Sequence, residues 1–256
     1  MTTAVVEEDA AMEITPAEAK ELRRVFERLC DFSQVQSALK EIAARRDRLA
    51  ALQRGDNTAP GSSGKPGILV LSDVQVRLEA EALTAEMKHL EEEVARLQAN
   101  PNKRIRAIDV LENMKYLGKA CGKKEVADMI WEVDEDLDGC VDWAEFRLMF
   151  HRNINDKTGL EPSKLHNMIQ FMIYDVDSSG RVSVDETMNM LYARYGRVRM
   201  EAKLKELFGE EMRETGTQGG EINFLQYLEA VERTQLQTFL NSTAGRAQLA
   251  KKKAAH

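Results

Sequence analysis

Residues 134–145, DEDLDGCVDWAE, place five carboxylates in register around one glycine, and this stretch constrains the fold more than any other. Calcium prefers six to eight oxygen ligands at roughly 2.3–2.6 Å. Carboxylates at alternate positions point into one hollow, Gly139 allows the sharp turn between them, and the last glutamate contributes both of its oxygens. The predicted calcium ligands of this first loop are Asp134, Asp136, Asp138, the carbonyl of Cys140, Asp142 and Glu145.

A second stretch of the same length, DVDSSGRVSVDE at residues 175–186, repeats the order of oxygen-bearing residues. Gly180 takes the turn position, and the loop has three ligand carboxylates where the first has five. Because ligand charge sets calcium affinity, we expect the second site to be weaker by roughly one to two decades. The predicted ligands of this second loop are Asp175, Asp177, Ser179, the carbonyl of Arg181, Ser183 and Glu186.

Two further segments keep the apolar spacing around such a loop but lack its carboxylates. In one of them Ile105 takes the position that Val141 holds in the first loop, and in the other Ile222 takes the position of Val182. These positions form the short strands that join two loops, so we expect Ile105 to pair with Val141 and Ile222 with Val182. Gln226 stands in place of the closing glutamate and cannot bind a metal ion through two carboxylate oxygens. Both segments are predicted to fold without metal.

Residues 100–235 therefore resemble the EF-hand superfamily of calmodulin, troponin C and centrin, with four helix-loop-helix hands of which only the middle two keep their ligands. The resemblance covers just over half of the chain. It implies an all-α fold of paired hands in two lobes, and a methionine-rich groove that opens to a partner helix when calcium binds. The alternative is that the methionines are ordinary core. The methionines that flank the two metal loops are Met129, Met149, Met168, Met172, Met188 and Met190.

The segment before the hands predicts two long coiled-coil helices. Thr15-Pro16-Ala17-Glu18 is a capping box, and the helix that it opens is expected to continue to about Arg54. After a linker rich in glycine, serine and proline, Ser72 caps a second helix whose apolar residues keep heptad spacing to Gln98. This stripe is buried either in a hairpin of the two helices or against a helix of another protein, and its narrowness favours the partner.

Composition narrows the class of protein. The net charge is −7 and no basic face is evident, which argues against a nucleic-acid partner. No apolar stretch reaches the roughly 18 residues of a membrane span. The three cysteines lack motif spacing, which favours reduced thiols and a cytoplasmic location. Because no nucleophile-elbow, phosphate-loop or dinucleotide motif is present, we expect no enzyme and no catalytic residue.

The sequence thus divides into five parts. They are a disordered N-terminus (1–14), two coiled-coil helices (15–98, with a linker at 55–71), a first lobe (99–152, with a calcium hand at 121–152), a second lobe (160–238, with a calcium hand at 162–196 and a degenerate hand at 200–236) and a flexible basic tail (239–256).

Two functions fit this organisation. In the first, the protein is a calcium-responsive adaptor: helices in 16–98 anchor it to a protein partner, and the hands grip a partner helix. In the second, it is a constitutive structural component of a cytoskeletal or ciliary/flagellar (axonemal) assembly, and calcium mainly stabilises the fold. Both functions need two Ca²⁺ sites, with Mg²⁺ as an alternative occupant at resting calcium.

Overall fold

The computed structural model describes residues 13–58, 70–156, 161–209 and 220–241. Within these ranges the chain is helical apart from short strands that form two antiparallel sheets. It divides into two compact units: the hand unit, with residues up to Leu29 and from Ile105 onward, and the hairpin unit, residues 30–104. The predictions of a disordered N-terminus, a flexible linker and a basic tail fall largely on residues outside the described ranges.

From Ile105 onward the elements follow in the order of one strand with its exit helix and then three helix-strand-helix hands. Gly196, with φ 67°, interrupts one long helix and separates the part that leaves the third hand from the part that enters the fourth. No helix among the described residues is both long and apolar enough to cross a bilayer. The elements are α1 (Pro16–Leu29), α2 (Phe32–Gln53), α3 (Asp73–Gln98), β1 (Ile105–Arg106), α4 (Ala107–Tyr116), α5 (Lys123–Trp131), β2 (Cys140–Val141), α6 (Trp143–Asn155), α7 (Lys164–Tyr174), β3 (Arg181–Ser183), α8 (Val184–Phe208), β4 (Glu221–Asn223) and α9 (Phe224–Asn241).

The two sheets join the hands in pairs, as the sequence predicted. β1 pairs with β2 and places Ile105 opposite Val141. β3 pairs with β4 and places Val182 opposite Ile222. Each loop with a full set of predicted ligands is therefore held by a strand from a hand that lacks them.

The two predicted lobes contact each other along α4 and α7. The side-chain amide of Asn113, fully buried on α4, donates to the sulfur atoms of Met168 and Met172, each at 3.2 Å. One turn further, the hydroxyl of Tyr116 donates to the carbonyl of Ser178 at 2.9 Å. Both pairs of hands consequently belong to one compact unit.

The prediction of one helix from Pro16 to about Arg54 is wrong. α1 ends at Leu29, and Asp31 adopts a left-handed conformation with φ 58° before α2 begins at Phe32. Aspartate is one of the few residues with a side chain that adopts this conformation readily. The apolar spacing changes phase at this point because the two runs belong to different helices in different units.

α1 packs into the hand unit. The sequence had predicted instead that this helix belongs to a coiled coil. Its apolar side chains Leu22, Val25, Phe26 and Leu29 are only 0–1% exposed. Its start is the predicted capping box: the amide and hydroxyl of Thr15 both donate to Glu18 at 2.9 Å. The local prediction of a helix start was therefore right, and only the length and the partner of the helix were wrong.

The hairpin unit pairs α2 with α3, which is the first of the two arrangements that the sequence left open. Arg45 binds Glu86 and Arg48 binds Glu79, each at 2.8 Å. Ser72 caps α3 as predicted, with Gln75 completing the capping box. No side chain along the described length of α3 is fully buried. Its apolar stripe is only half covered, so a coiled coil with another protein stays a prediction.

The buried imidazole of His166 makes the stability of the hand unit depend on pH. It lies on α7 with its ring 5.1 Å from that of Phe150, and its Nδ1 has no hydrogen-bond partner among the described residues. Burial, with a smaller contribution from the cation of Arg194, lowers the pKa of His166 from 6.5 to about 4. Because the unfolded chain takes up this proton at a higher pH than the folded chain, stability falls as the pH drops from about 6.5 to about 4.

We therefore predict that His166→Phe flattens the pH dependence of stability. The shift corresponds to at most roughly 3 kcal/mol across this window, since one pKa unit is about 1.4 kcal/mol. The measurement is the free energy of urea unfolding of the metal-free protein at several pH values between 4 and 7. Equal slopes for the two proteins would show that His166 is not the titrating group.

Candidate metal centres

The first loop brings three of its predicted ligands together. Carboxylate oxygens of Asp134, Asp136 and Asp138 lie within 4.8 Å of one another. Gly139 has φ 83° and Leu137 has φ 60°, so the backbone curves around the carboxylates. A Cβ at Gly139 would meet no atom within 4 Å, which shows that the positive φ, and not crowding, requires glycine there.

Backbone amides of the first loop fix the orientation of these carboxylates. Gly139 donates to Oδ2 of Asp134 at 2.8 Å, and Cys140 donates to Oδ1 of Asp138 at 2.9 Å. Asp138 donates its own amide to Oδ1 of Asp136 at 3.2 Å. Each aspartate therefore binds the loop backbone through at least one oxygen, and these hydrogen bonds orient the acidic side chains toward one another.

Glu145 closes the first loop from the first turn of α6. Its Oε1 accepts from the amide of Glu135 at 2.8 Å, and its Oε2 accepts from the amide of Asp142 at 2.9 Å. Asp142 in turn caps α6 by accepting from the amide of Ala144 at 2.8 Å. Asp142 and Glu145 are not members of the close group of three carboxylates, but Glu145 already reaches across to the start of the loop.

The second loop has a different close group, which includes its closing glutamate. Carboxylate oxygens of Asp175, Asp177 and Glu186 lie within 4.8 Å of one another. Glu186 accepts from the amide of Val176 at 3.2 Å and from the hydroxyl of Ser183 at 2.7 Å. Both ends of the loop therefore meet at this carboxylate.

The serine hydroxyls of the second loop bind within the loop. Ser179 Oγ donates to the carbonyl of Arg181 at 3.1 Å and lies 3.4 Å from Oδ1 of Asp175. Ser183 is the N-cap of α8 and forms a capping box with Glu186. Both predicted hydroxyl ligands of this loop thus contact its carboxylates, and the predicted carbonyl ligand, that of Arg181, accepts from Ser179.

The neighbouring acidic ligands of the second loop have opposite pKa shifts. Burial raises the pKa of Asp175, and the amide of Gly180 and the cation of Arg28 only partly oppose that effect. Hydrogen bonds from Ser179 lower the pKa of Asp177, which is exposed. Without a metal ion, ionised Asp175 is therefore a cost to the fold, while ionised Asp177 is not.

The closing residues of the other two loops have partners other than metal. Asp109, fully buried, accepts from the guanidinium of Arg106 at 2.9 Å. Gln226 and Asn223 form a reciprocal cap, in which each side-chain oxygen accepts from the amide of the other residue at 2.9–3.0 Å. The part of the fourth loop before residue 220 lies outside the described residues.

Sequence reasoning missed two residues of α1 that contact the second loop. Nη1 of Arg28 lies 4.0 Å from Oδ2 of Asp175 and donates to the hydroxyl of Ser178. Nη2 of Arg24 donates to the carbonyl of Met172 at 2.8 Å. About 150 residues separate these groups along the chain. The one signal in the sequence is that both arginines flank the apolar face of α1, which is common on any helix.

The methionines that flank the two loops are core in this structure. Five of them are buried, and Met188 is 38% exposed. The structure thus shows the second of the two interpretations that the sequence left open, and an open methionine-rich groove stays a prediction. The five buried side chains are Met129, Met149, Met168, Met172 and Met190.

Because the pKa of Asp175 is raised and that of Asp177 is lowered, asparagine variants of the two residues are expected to affect stability differently. We predict that Asp175→Asn raises the free energy of unfolding of the metal-free protein at neutral pH. Folded Asp175 keeps its proton to a higher pH than the unfolded chain does, so its ionisation above that pH costs stability. Asp177→Asn makes the same chemical change and is expected to lower stability or leave it unchanged. The measurement is urea unfolding at pH 7 with a chelator present; greater destabilisation by Asp175→Asn would contradict the assigned cause.

Similarity to known proteins agrees with this geometry. Residues 109–153 match the family described as an EF-hand domain pair. A probable calcium-binding protein, CML23 of Arabidopsis thaliana, is 44% identical over 52 residues, which are 20% of this chain. The match spans about a third of the length of that relative, 33%. The matched pair, the two glycine-turned acidic loops and the two strand pairings together show that the hand unit contains EF-hands.

Proposed function

We propose that the first and second loops each bind one calcium ion. The observation that carries the proposal is the close group of three carboxylates in each loop, with oxygens within 4.8 Å of one another. The donors are carboxylate, hydroxyl and carbonyl oxygens, which suit a hard cation such as Ca²⁺ and do not suit a thiolate-preferring metal. A bound ion would supply positive charge to these carboxylates, and the predicted ligands of each loop would hold it. Mg²⁺ suits the same oxygens and is the expected competitor.

We further propose that the first loop is the tighter site. It has five ligand carboxylates against three in the second loop. In the second loop, Asp175 is fully buried and has Arg28 at 4.0 Å from its Oδ2. A cation there must compete with the guanidinium for the same carboxylate. Ligand number and local charge therefore both favour the first loop.

The role of the two other hands is to complete the fold around the metal loops. Their closing residues, Asp109 and Gln226, are bound to Arg106 and Asn223 within their own loops. Ile105 and Ile222 extend the metal loops by one strand each. A chain with two occupied and two metal-free hands is expected to respond less cooperatively than one with four equal sites.

We propose that this calcium-binding protein acts as an adaptor for protein partners. The half-covered apolar stripe of α3 supports an anchoring contact, because apolar side chains at heptad spacing gain stability from a further helix. The stripe consists of Val76, Leu83, Met87, Leu90, Val94 and Leu97, each of intermediate exposure.

A constitutive structural role in a cytoskeletal or axonemal assembly is the second candidate. The burial of five flanking methionines supports it, because this role needs them only as core. The two roles differ in what calcium does. In the adaptor it changes what the hands expose, and in the structural component it only stabilises them.

Glutamine variants of the closing glutamates test the site assignment. We predict that Glu145→Gln abolishes the tighter calcium site and that Glu186→Gln abolishes only the weaker one, because each loses a carboxylate that binds through two oxygens. The measurement is a calorimetric calcium titration of the full chain in the presence of magnesium.

The matched control is Glu135→Gln. It makes the same charge change inside the first loop, but its side chain is exposed and binds Arg152 at 2.8 Å. This variant should bind two ions like the unmodified chain. Two normal sites in both Glu145→Gln and Glu186→Gln would show that the ligand assignment is wrong.

A further inference from the structure

Helix α1 is packed into the hand unit next to the exit helix of the first loop. The ring of Phe26 lies edge-on to Trp143 and Phe146, with centroids at 5.3 and 5.2 Å. The guanidinium of Arg23 lies 4.9 Å from the Trp143 ring. Trp143, inside the first loop, begins α6, and Phe146 follows the closing Glu145 directly. The side chain of Trp143 therefore reports on whether α1 is in place.

The arginines of α1 bind the entry side of the second loop. Arg24 donates to the carbonyl of Met172 at 2.8 Å and lies 3.4 Å from the carbonyl of Asp175. These carbonyls are at the C-terminal end of α7, where helix carbonyls lack intrahelical partners and carry partial negative charge. Arg28 adds a second cation at the side chain of Asp175. Two cations of α1 are thus fixed where the second loop begins.

A buried ion pair ties α1 to the exit side of the same loop. Glu18 and Arg194 are bound to each other, with side-chain exposures of 3% and 7%. Arg194 lies on α8, the helix that leaves the second loop. α1 therefore contacts both the helix that enters the second loop and the helix that leaves it. In hands that respond to metal, the angle between these two helices changes.

We propose that α1 is a latch whose docking on the hand unit is coupled, with opposite sign, to metal binding in the second loop. This inference rests on the proposed calcium function of that loop. A cation held by Asp175 adds positive charge next to Arg28 and Arg24, so it weakens the contacts of α1. By linkage, docked α1 weakens cation binding in the second loop by the same factor. The first loop is affected less, since its contact with α1 is through Phe26 and Arg23 and not through a ligand carboxylate.

The test is a calorimetric calcium titration of the full chain with Arg28→Gln. We expect the second site to tighten by about fivefold or more, the lower end of typical coupling between sites, while the first site stays unchanged. The two sites are assigned by repeating each titration with Glu186→Gln, which removes the second. Lys20→Gln is the matched control, because it removes one positive charge from an exposed position on the same helix; it should change neither site.

Arg28→Lys separates charge from folding. It keeps the cation beside Asp175, so its second site should stay close to that of the unmodified chain even if Arg28→Gln is less stable. Equal affinity of the second site in Arg28→Gln and the unmodified chain would overturn the latch. Absence of calcium binding in the unmodified chain would instead overturn the proposed function.

Tryptophan fluorescence gives an independent readout of docking. Trp131 is 71% exposed, so Trp131→Phe leaves Trp143 as the reporter. Filling of the second site should change Trp143 emission, because weaker docking of α1 alters the contacts of Phe26 and Arg23 with the ring. With Glu186→Gln in the same background, the change should disappear. A second site that fills with no change in Trp143 emission would show that the docking of α1 is independent of that site and would contradict the latch.

Discussion

Burial of the apolar face of α1 is the interaction on which the hand unit depends. Leu22, Val25, Phe26 and Leu29 are almost completely excluded from water. Each such side chain contributes roughly 1.5–3 kcal/mol relative to an exposed one. These contacts bring together helices from both pairs of hands, and they place the cations of α1 at the second loop. The packing of the hand unit and the positive charge beside its second loop therefore both depend on the docking of α1.

Repulsion among neighbouring carboxylates is offset differently in the first and second loops. In the first loop, the aspartates are held by backbone amides, and the site keeps a large excess of negative charge. In the second, a guanidinium from α1 lies near the one fully buried ligand, Asp175. A charge supplied by the protein lowers the repulsion among carboxylates in the absence of metal, but it also competes with the metal. This difference makes the second loop the natural point at which metal binding and packing affect each other.

A partner helix that took the place of α1 would need the same chemistry. Its apolar residues would follow the spacing of Leu22, Val25, Phe26 and Leu29, and its basic residues would follow that of Arg24 and Arg28. Such helices with anchors at positions i, i+3, i+4 and i+7 are typical ligands of hydrophobic grooves. The hand unit already contains a segment that meets this requirement.

Local patterns in the sequence predicted most of the hand unit. Gly139 and Gly180 fix the loop register, and the apolar residue two positions after each glycine fixes the strand pairing with Ile105 and Ile222. The caps at Thr15 and Ser72 were also predictable, since a capping box is a short-range motif. The break at Asp31 was missed, because neither glycine nor proline marks it and the helical apolar spacing resumes after it in a different phase. The packing partners of α1 could not be predicted from the sequence either, since the residues that it contacts lie about 150 positions away in the chain.

The most direct test of the central claim is a count of the calcium ions bound by the full chain, by native mass spectrometry alongside equilibrium dialysis, in the presence of magnesium. We expect two ions, with the first binding more tightly than the second. Both are assigned to loops in which three carboxylates have oxygens within 4.8 Å of one another. Three or four ions would contradict the assignment of Asp109 and Gln226 to metal-free loops, and a count of zero would contradict calcium binding itself.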